Sequence, residues 1–179
     1  MAEARKSIFI TGAASGIGAA TAKLFAQRGW FVGLYDIAST SGVESEIPAA
    51  QRISGKLDVR ESAQWREAVA AFGAATGGKM HVLFNNAGVA RHGRYDIISE
   101  EDTNLTVDVN LKGVLNGVRA GLPLLRETKG ARIINTASAA AIYGLPKSAV
   151  YAATKFAVRG LSQSLDIELA ELGVRCITI

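Results

Sequence analysis

Cysteine is nearly absent: Cys176 stands alone among 179 residues, so the chain forms no disulfide of its own. That scarcity points to a reducing cytoplasm. Prolines number three, and no low-complexity segment, interdomain linker or internal repeat breaks the chain. No apolar run approaches the length a membrane span needs. Residues Met1 to Lys6 are mixed in charge and lead straight into a short apolar run, so no secretory signal is expected. Like charges never gather in a run of five or more, and the densest basic spot is Arg91-His92-Gly93-Arg94. The formal charge of +4 is dispersed among carboxylates, as in Glu61, Arg66 and Glu67, or Arg126, Glu127 and Lys129. A basic balance without a patch argues against nucleic acid as a partner. No metal site is expected.

Apolar residues make up 49% of the chain and charged ones 20%, and the length suits one domain with one substantial core, taken as residues 1–179. Short β-rich runs alternate with longer helical patterns, the signature of repeated βαβ units and a mostly parallel sheet. The expected strands are Ser7–Thr11, Phe31–Tyr35, Arg52–Leu57, His81–Asn85, Ala131–Thr136 and Val174–Ile179. The expected helices are Ile17–Gln27, Glu61–Thr76, Asp102–Leu125 and Tyr151–Leu172. On the last, Ala153, Phe156, Ala157, Gly160, Leu161, Ser164, Leu165, Leu169 and Leu172 share a face whose small residues leave room for a close neighbour. The fold class is therefore α/β, one doubly wound Rossmann-like domain.

The first strand runs into Gly12-Ala13-Ala14-Ser15-Gly16-Ile17-Gly18 and then a helix. Glycines at such a turn allow tight backbone geometry and let a pyrophosphate approach with no Cβ in the way. The helix start offers free N–H groups and the positive end of its dipole. Gly12, Ser15, Gly16, Ile17 and Gly18 are thus candidate cofactor-binding residues. The second strand ends at Asp36, where a carboxylate is placed to accept from the adenosine ribose hydroxyls. It would repel a 2′-phosphate, and Ile37 and Ala14 supply no offsetting cation. NAD is expected in preference to NADP.

The spacing Thr-Gly-x-x-x-Gly-x-Gly resembles that of the short-chain dehydrogenase/reductase family, and further features follow in the family's order along nearly the whole chain. Asp58-Val59 follows the third strand, where the family sets an acidic side chain on the adenine amino group. Asn85-Asn86-Ala87-Gly88 follows the fourth; there the resemblance implies that Asn86 steadies the sheet and that Ala87 and Gly88 lie beside the adenine ribose. Asn110 in the central helix matches a family asparagine that holds a water in a proton relay. Ser138 follows the fifth strand, and Tyr151-Ala152-Ala153-Thr154-Lys155 matches the Tyr-x-x-x-Lys pair. The resemblance implies strand order 3-2-1-4-5-6 and a homodimer or homotetramer built on the central and Tyr–Lys helices.

Residues four apart share a helix face, so Tyr151 and Lys155 converge on one spot. A free tyrosine titrates near 10 and is a poor base at neutral pH, whereas a neighbouring ammonium favours its phenolate. In this reading Tyr151 exchanges the proton of an alcohol/carbonyl pair. Ser138 bonds the substrate oxygen, Lys155 holds ribose hydroxyls and tunes Tyr151, and Asn110 links the site to solvent. The expected substrate is a small-molecule secondary alcohol or ketone, with Ile142, Tyr143, Leu145 and Pro146 as an apolar wall. Two other functions fit the pattern: an NADPH-dependent ketoreductase, which Asp36 argues against, and a dinucleotide-binding sensor or scaffold without turnover. Family members usually run on through a seventh strand, which this sequence lacks, and the chain is expected to be a truncated version of a longer protein.

Overall fold

The first strand of the computed structural model, which describes residues 5–179, is buried on both faces: β1 (Ser7–Thr11). Phe9 points into one apolar cluster and Ile8 and Ile10 into the opposite one, the period of two that a pleated strand imposes. A strand covered on both sides belongs at the centre of a parallel sheet. The elements that follow are α1 (Gly16–Gln27), β2 (Phe31–Asp36), the short α2 (Ser41–Glu44), β3 (Arg52–Lys56), α3 (Ser62–Ala75) and β4 (Val82–Asn85). Then come α4 (Glu100–Val107), α5 (Gly113–Arg126), β5 (Arg132–Asn135), α6 (Ala149–Glu168) and β6 (Arg175–Thr178). Every strand pairing is parallel. The order is β3-β2-β1-β4-β5-β6, as expected from the sequence.

On one face, α3, α5 and α6 cover a core in which Phe9 stacks on Tyr35 with ring centroids 4.2 Å apart. Trp65 and Phe72 complete that aromatic group, with centroids 5.6 and 5.3 Å from Phe9. On the other face, α1 and α2 pack Ala19, Ala22, Ala26 and Val43 against Ile8, Ile10, Val32 and Leu34. The alanines of α1 bring its axis close to the sheet. Strand order reverses between β1 and β4, and the crevice beyond the carboxyl ends of those strands is where an open α/β sheet binds ligands.

The elements differ from expectation chiefly at their ends. The central helix is interrupted: between α4 and α5, residues Asp108–Lys112 form a π-turn with Asn110 at its middle. Such an insertion swells the helix locally and is invisible to a 3.6-residue periodicity. It begins at Glu100, because Ser99 Oγ accepts the Asp102 N–H at 3.0 Å and caps it. The last helix starts at Ala149, and past Glu168 it tightens into a 3-10 turn, Ala170–Leu172, closed by Gly173 at φ 71°. Ala152, Thr154, Lys155, Val158 and Ser162 are its buried residues, while Ala153, Phe156, Gly160 and Ser164 face outward. Cys176 is packed inside, and burial pushes its thiol up to about 11, so it is an inert core residue. No helix among the described residues is long and apolar enough to cross a membrane.

Candidate active site

Two glycines let the turn after β1 close on itself. A Cβ on Gly18 would stand 2.0 Å from the Gly12 carbonyl oxygen. One on Gly12, whose φ is +67°, would stand 2.9 Å from the Ala87 Cα. Gly16 differs: its φ is +53°, yet a Cβ there would meet nothing within 4 Å, so it fronts open space. Ser15 stands at the N-cap of α1 without a side-chain capping bond, and the helix carries no acid in its first turn. The helix thus presents uncapped N–H groups and an unopposed positive dipole end to that space.

Thr11 and Asn86 fasten this turn to the next one. Thr11 Oγ1 accepts the N–H groups of Asn86 and Ala87 at 3.0 and 3.1 Å. Asn86 Nδ2 donates to the Thr11 and Gly12 carbonyls at 3.0 and 3.3 Å, and its Oδ1 accepts from Thr136 Oγ1 at 3.4 Å. The ends of β1, β4 and β5 are therefore one hydrogen-bonded unit. Asp36 closes the other side, with Oδ2 accepting the Ala14 N–H and Oδ1 the Ala38 N–H, both at 2.9 Å. Each carboxylate oxygen keeps lone-pair capacity for a further donor.

Asp58 is held by a neighbour. Arg60 grips its carboxylate, donating from Nη2 to Oδ2 at 2.6 Å and from Nε to Oδ1 at 2.9 Å. That guanidinium holds the Asp58 carboxyl below the usual carboxylate range. Next to it, the Val59 carbonyl accepts from Trp65 Nε1 at 3.0 Å and from Asn116 Nδ2 at 3.1 Å, which pins the loop to α3 and α5. Arg60, Trp65 and Asn116 were not singled out from the sequence. Each lies outside any short motif and acts through the fold.

A cleft of about 630 Å³ joins these parts, lined by Gly12, Ser15, Gly16, Ile17, Asp36, Asp58, Val59, Asn86, Ala87, Gly88, Tyr151 and Lys155. Lys155 is only 4% exposed. Its Nζ donates to the Thr136 carbonyl at 2.7 Å and sits 5.6 Å from the centroid of the Tyr151 ring. No carboxylate among the described residues neutralises it, and burial lowers its pKa from 10.5 to about 8. An ammonium has three donors, so two remain for whatever occupies the cleft beside Tyr151.

Three expected residues lie off the cleft wall. Gly18 sits beneath the turn it shapes. Asn110 is 1% exposed; its Oδ1 accepts the Val89 N–H and its Nδ2 donates to the Val89 carbonyl, both at 2.8 Å. Its second amide hydrogen points to Thr154 Oγ1 at 3.3 Å. The side chain thus clamps the loop after β4 to α6, with Gly88 the point where it nears Lys155: a Cβ there would be 3.3 Å from Asn110 Oδ1 and 3.7 Å from Lys155 Nζ. Ser138 caps the short turn Ala139–Ala141, its Oγ accepting the Ala140 N–H at 3.1 Å. That bond uses a lone pair and leaves the hydroxyl proton free to donate. Arg159 fixes the same turn to α6 through the Ala141 carbonyl at 3.0 Å.

The residues present fit a dinucleotide. The cradle excludes side chains where a pyrophosphate would lie, a carboxylate stands where ribose hydroxyls would reach, and a buried cation with spare donors stands at the far end. Comparison with known proteins agrees. The model of a family described as short chain dehydrogenase matches residues 6–179. The chain is 38% identical over 180 residues to 2,5-dichloro-2,5-cyclohexadiene-1,4-diol dehydrogenase LinX of Sphingobium indicum, covering 98% of this chain and 72% of that protein. It is likewise 38% identical to 3-oxoacyl-(acyl-carrier-protein) reductase FabG of Thermotoga maritima, covering 95% and 70%. Among solved structures, 3-ketoacyl-(acyl-carrier-protein) reductase from Brucella melitensis complexed with NADH is similar at a TM-score of 0.91 and 31% identity, covering 97% of this chain and 74% of that one.

Proposed function

The chain belongs to the short-chain dehydrogenase family of oxidoreductases, and on that premise we propose that it transfers a hydride between NAD(H) and a secondary alcohol/ketone pair, with Tyr151 as acid–base. The observation that carries this reading is the buried, carboxylate-free ammonium of Lys155 beside the Tyr151 ring, in the same cleft as the glycine turn and Asp36. The bound nicotinamide would supply the hydride acceptor or donor. In alcohol oxidation the Tyr151 oxygen takes the hydroxyl proton; in ketone reduction it returns one. Lys155 sets its positive charge beside the Tyr151 ring and would turn its remaining N–H donors to ribose hydroxyls. Ser138 donates its free proton to the substrate oxygen. Asn110 holds the loop carrying Gly88 next to Lys155 and, through a water, would link the lysine to solvent. The secondary alcohol/ketone class is supported by the relatives named above, one acting on a cyclic diol and one on a 3-oxoacyl group.

Preference for NAD rests on Asp36 at the end of β2: two bonds, from Ala14 and Ala38, hold its carboxylate, and in this reading it would accept from the ribose hydroxyls and repel a 2′-phosphate. Calorimetric titration is expected to show tighter binding of NADH than of NADPH. Asp36→Ala should weaken NADH by about tenfold, the worth of one hydrogen bond to a charged group, and should narrow the difference between the two. Equal binding of both by the unmodified chain, or an equal effect of the substitution on each, would remove Asp36 from cofactor choice.

We also infer a homodimer through the outward faces of α5 and α6. Leu115 and Phe156 are 39% and 44% exposed there, and Gly160 leaves the surface of α6 open for close approach. Light scattering of the eluting peak should give twice the mass of one chain at micromolar concentration; a monomer that persists at higher concentration would count against it.

A further inference from the structure

His92 follows the Asn-Asn-Ala-Gly turn in the loop between β4 and α4, and no motif draws attention to it. The structure lays its imidazole against Tyr151, ring centroids 5.9 Å apart and planes inclined by 56°. Its Nδ1 is 3.0 Å from Ser148 Oγ. Ser148 is buried and is the N-cap residue of α6, where a serine ordinarily bonds the helix's own N–H groups; here it makes no such bond. Its hydroxyl is spent on His92 instead. The preceding residue, Lys147, takes the left-handed conformation at φ 61°, a costly one for a residue with a Cβ, and its carbonyl accepts the Gly93 N–H at 2.9 Å. An uncapped helix start and a strained residue are thus both spent on fixing one imidazole beside the candidate acid–base.

The two loops joined by the His92–Ser148 and Gly93–Lys147 bonds also carry apolar side chains. Ile142, Tyr143 and Leu145 on one loop, and Tyr95 and Ile97 on the other, are exposed apolar side chains. The nearby cations Arg91 and Arg94 are each paired with an acid, Asp102 and Asp96. Ligand sites of this kind combine apolar walls with a few fixed polar groups that select orientation. With Nδ1 engaged by Ser148, Nε2 has no partner among the described residues and is the free hydrogen-bonding group.

We propose that His92 is a specificity residue that hydrogen-bonds, through Nε2, a second oxygen of the substrate next to the carbon that Tyr151 serves, so that the enzyme prefers vicinally oxygenated secondary alcohols over simple ones. This assignment rests on the hydride-transfer reading above. The test compares matched probes, 2-butanol with 2,3-butanediol and cyclohexanol with 1,2-cyclohexanediol, oxidised with NAD by the full chain. The unmodified protein should favour each diol in kcat/KM. His92→Phe, which keeps a ring against Tyr151 and deletes both nitrogens, should shrink the diol-to-alcohol ratio by about tenfold, mainly through the KM of the diol. His92→Gln, which can still donate, should recover part of that ratio. A ratio that His92→Phe leaves unchanged, or a loss shared equally by alcohol and diol, overturns the assignment and leaves hydride transfer standing. NADH binding without oxidation of any probe overturns both, and melting temperatures of the variants identify a merely unfolded one.

Discussion

Tyr151→Phe is expected to lower turnover by about two to four orders of magnitude, the range of a positioned acid–base group, while NADH still binds. The substitution removes one oxygen and little else. The phenyl ring keeps its contact with His92 and its place 5.6 Å from the Lys155 ammonium, so the wall of the cleft is preserved. What disappears is the group that exchanges a proton with the substrate oxygen. Ser138 does not replace it: its oxygen accepts the Ala140 N–H, and its hydroxyl donates to no base among the hydrogen bonds of the described residues. Steady-state rates with NAD and a secondary alcohol, alongside NADH titration of the same sample, check this. Turnover within threefold of the unmodified chain, on the order of half a kcal/mol in the barrier, would take Tyr151 out of the mechanism.

Such a prediction is possible from sequence because the relevant signals are local. The glycine turn, Asp36 at a strand end and the four-residue spacing of Tyr151 and Lys155 are each set by one element, and one cleft gathers them. The parallel sheet was legible in six apolar runs separated by helical patterns, whereas its strand order came from the family resemblance and is the one observed. What escaped was non-local or depended on a departure from regularity. The π-turn around Asn110 puts the amide against Val89; an ideal helix would turn it elsewhere, and periodicity carries no sign of the extra residue. Nothing in the sequence marks that Arg60, two residues on, folds back upon the Asp58 carboxylate. His92 and Ser148 lie 56 positions apart in sequence, and neither has a composition that marks it. Ser138 read as a hydroxyl for the substrate; the structure adds that it also caps its own turn.

Lys155→Met is expected to abolish most activity and yet make the free protein more stable. The lysine is 4% exposed, and burial alone lowers its pKa from 10.5 to about 8. Holding its proton in that place costs about 3 kcal/mol relative to the unfolded chain. Its single bond, to the Thr136 carbonyl, offsets about 1 kcal/mol. Methionine is long, unbranched and adaptable enough to fill the same channel. The variant should therefore gain on the order of 1–2 kcal/mol in chemical denaturation below pH 8, while turnover falls by about 10²–10³ for loss of a positioned charge. The sign of the pH dependence follows from linkage. Below about 8 both native and unfolded lysines are protonated, so the native penalty is fully expressed. Between about 8 and 10.5 the native side chain releases a proton that the unfolded one retains, and the wild type gains stability as the pH rises. The advantage of the methionine variant should accordingly shrink across that interval. A variant less stable than wild type at neutral pH would show that the ammonium is already compensated inside the free protein, and its readiness for the ribose hydroxyls would lose its physical basis.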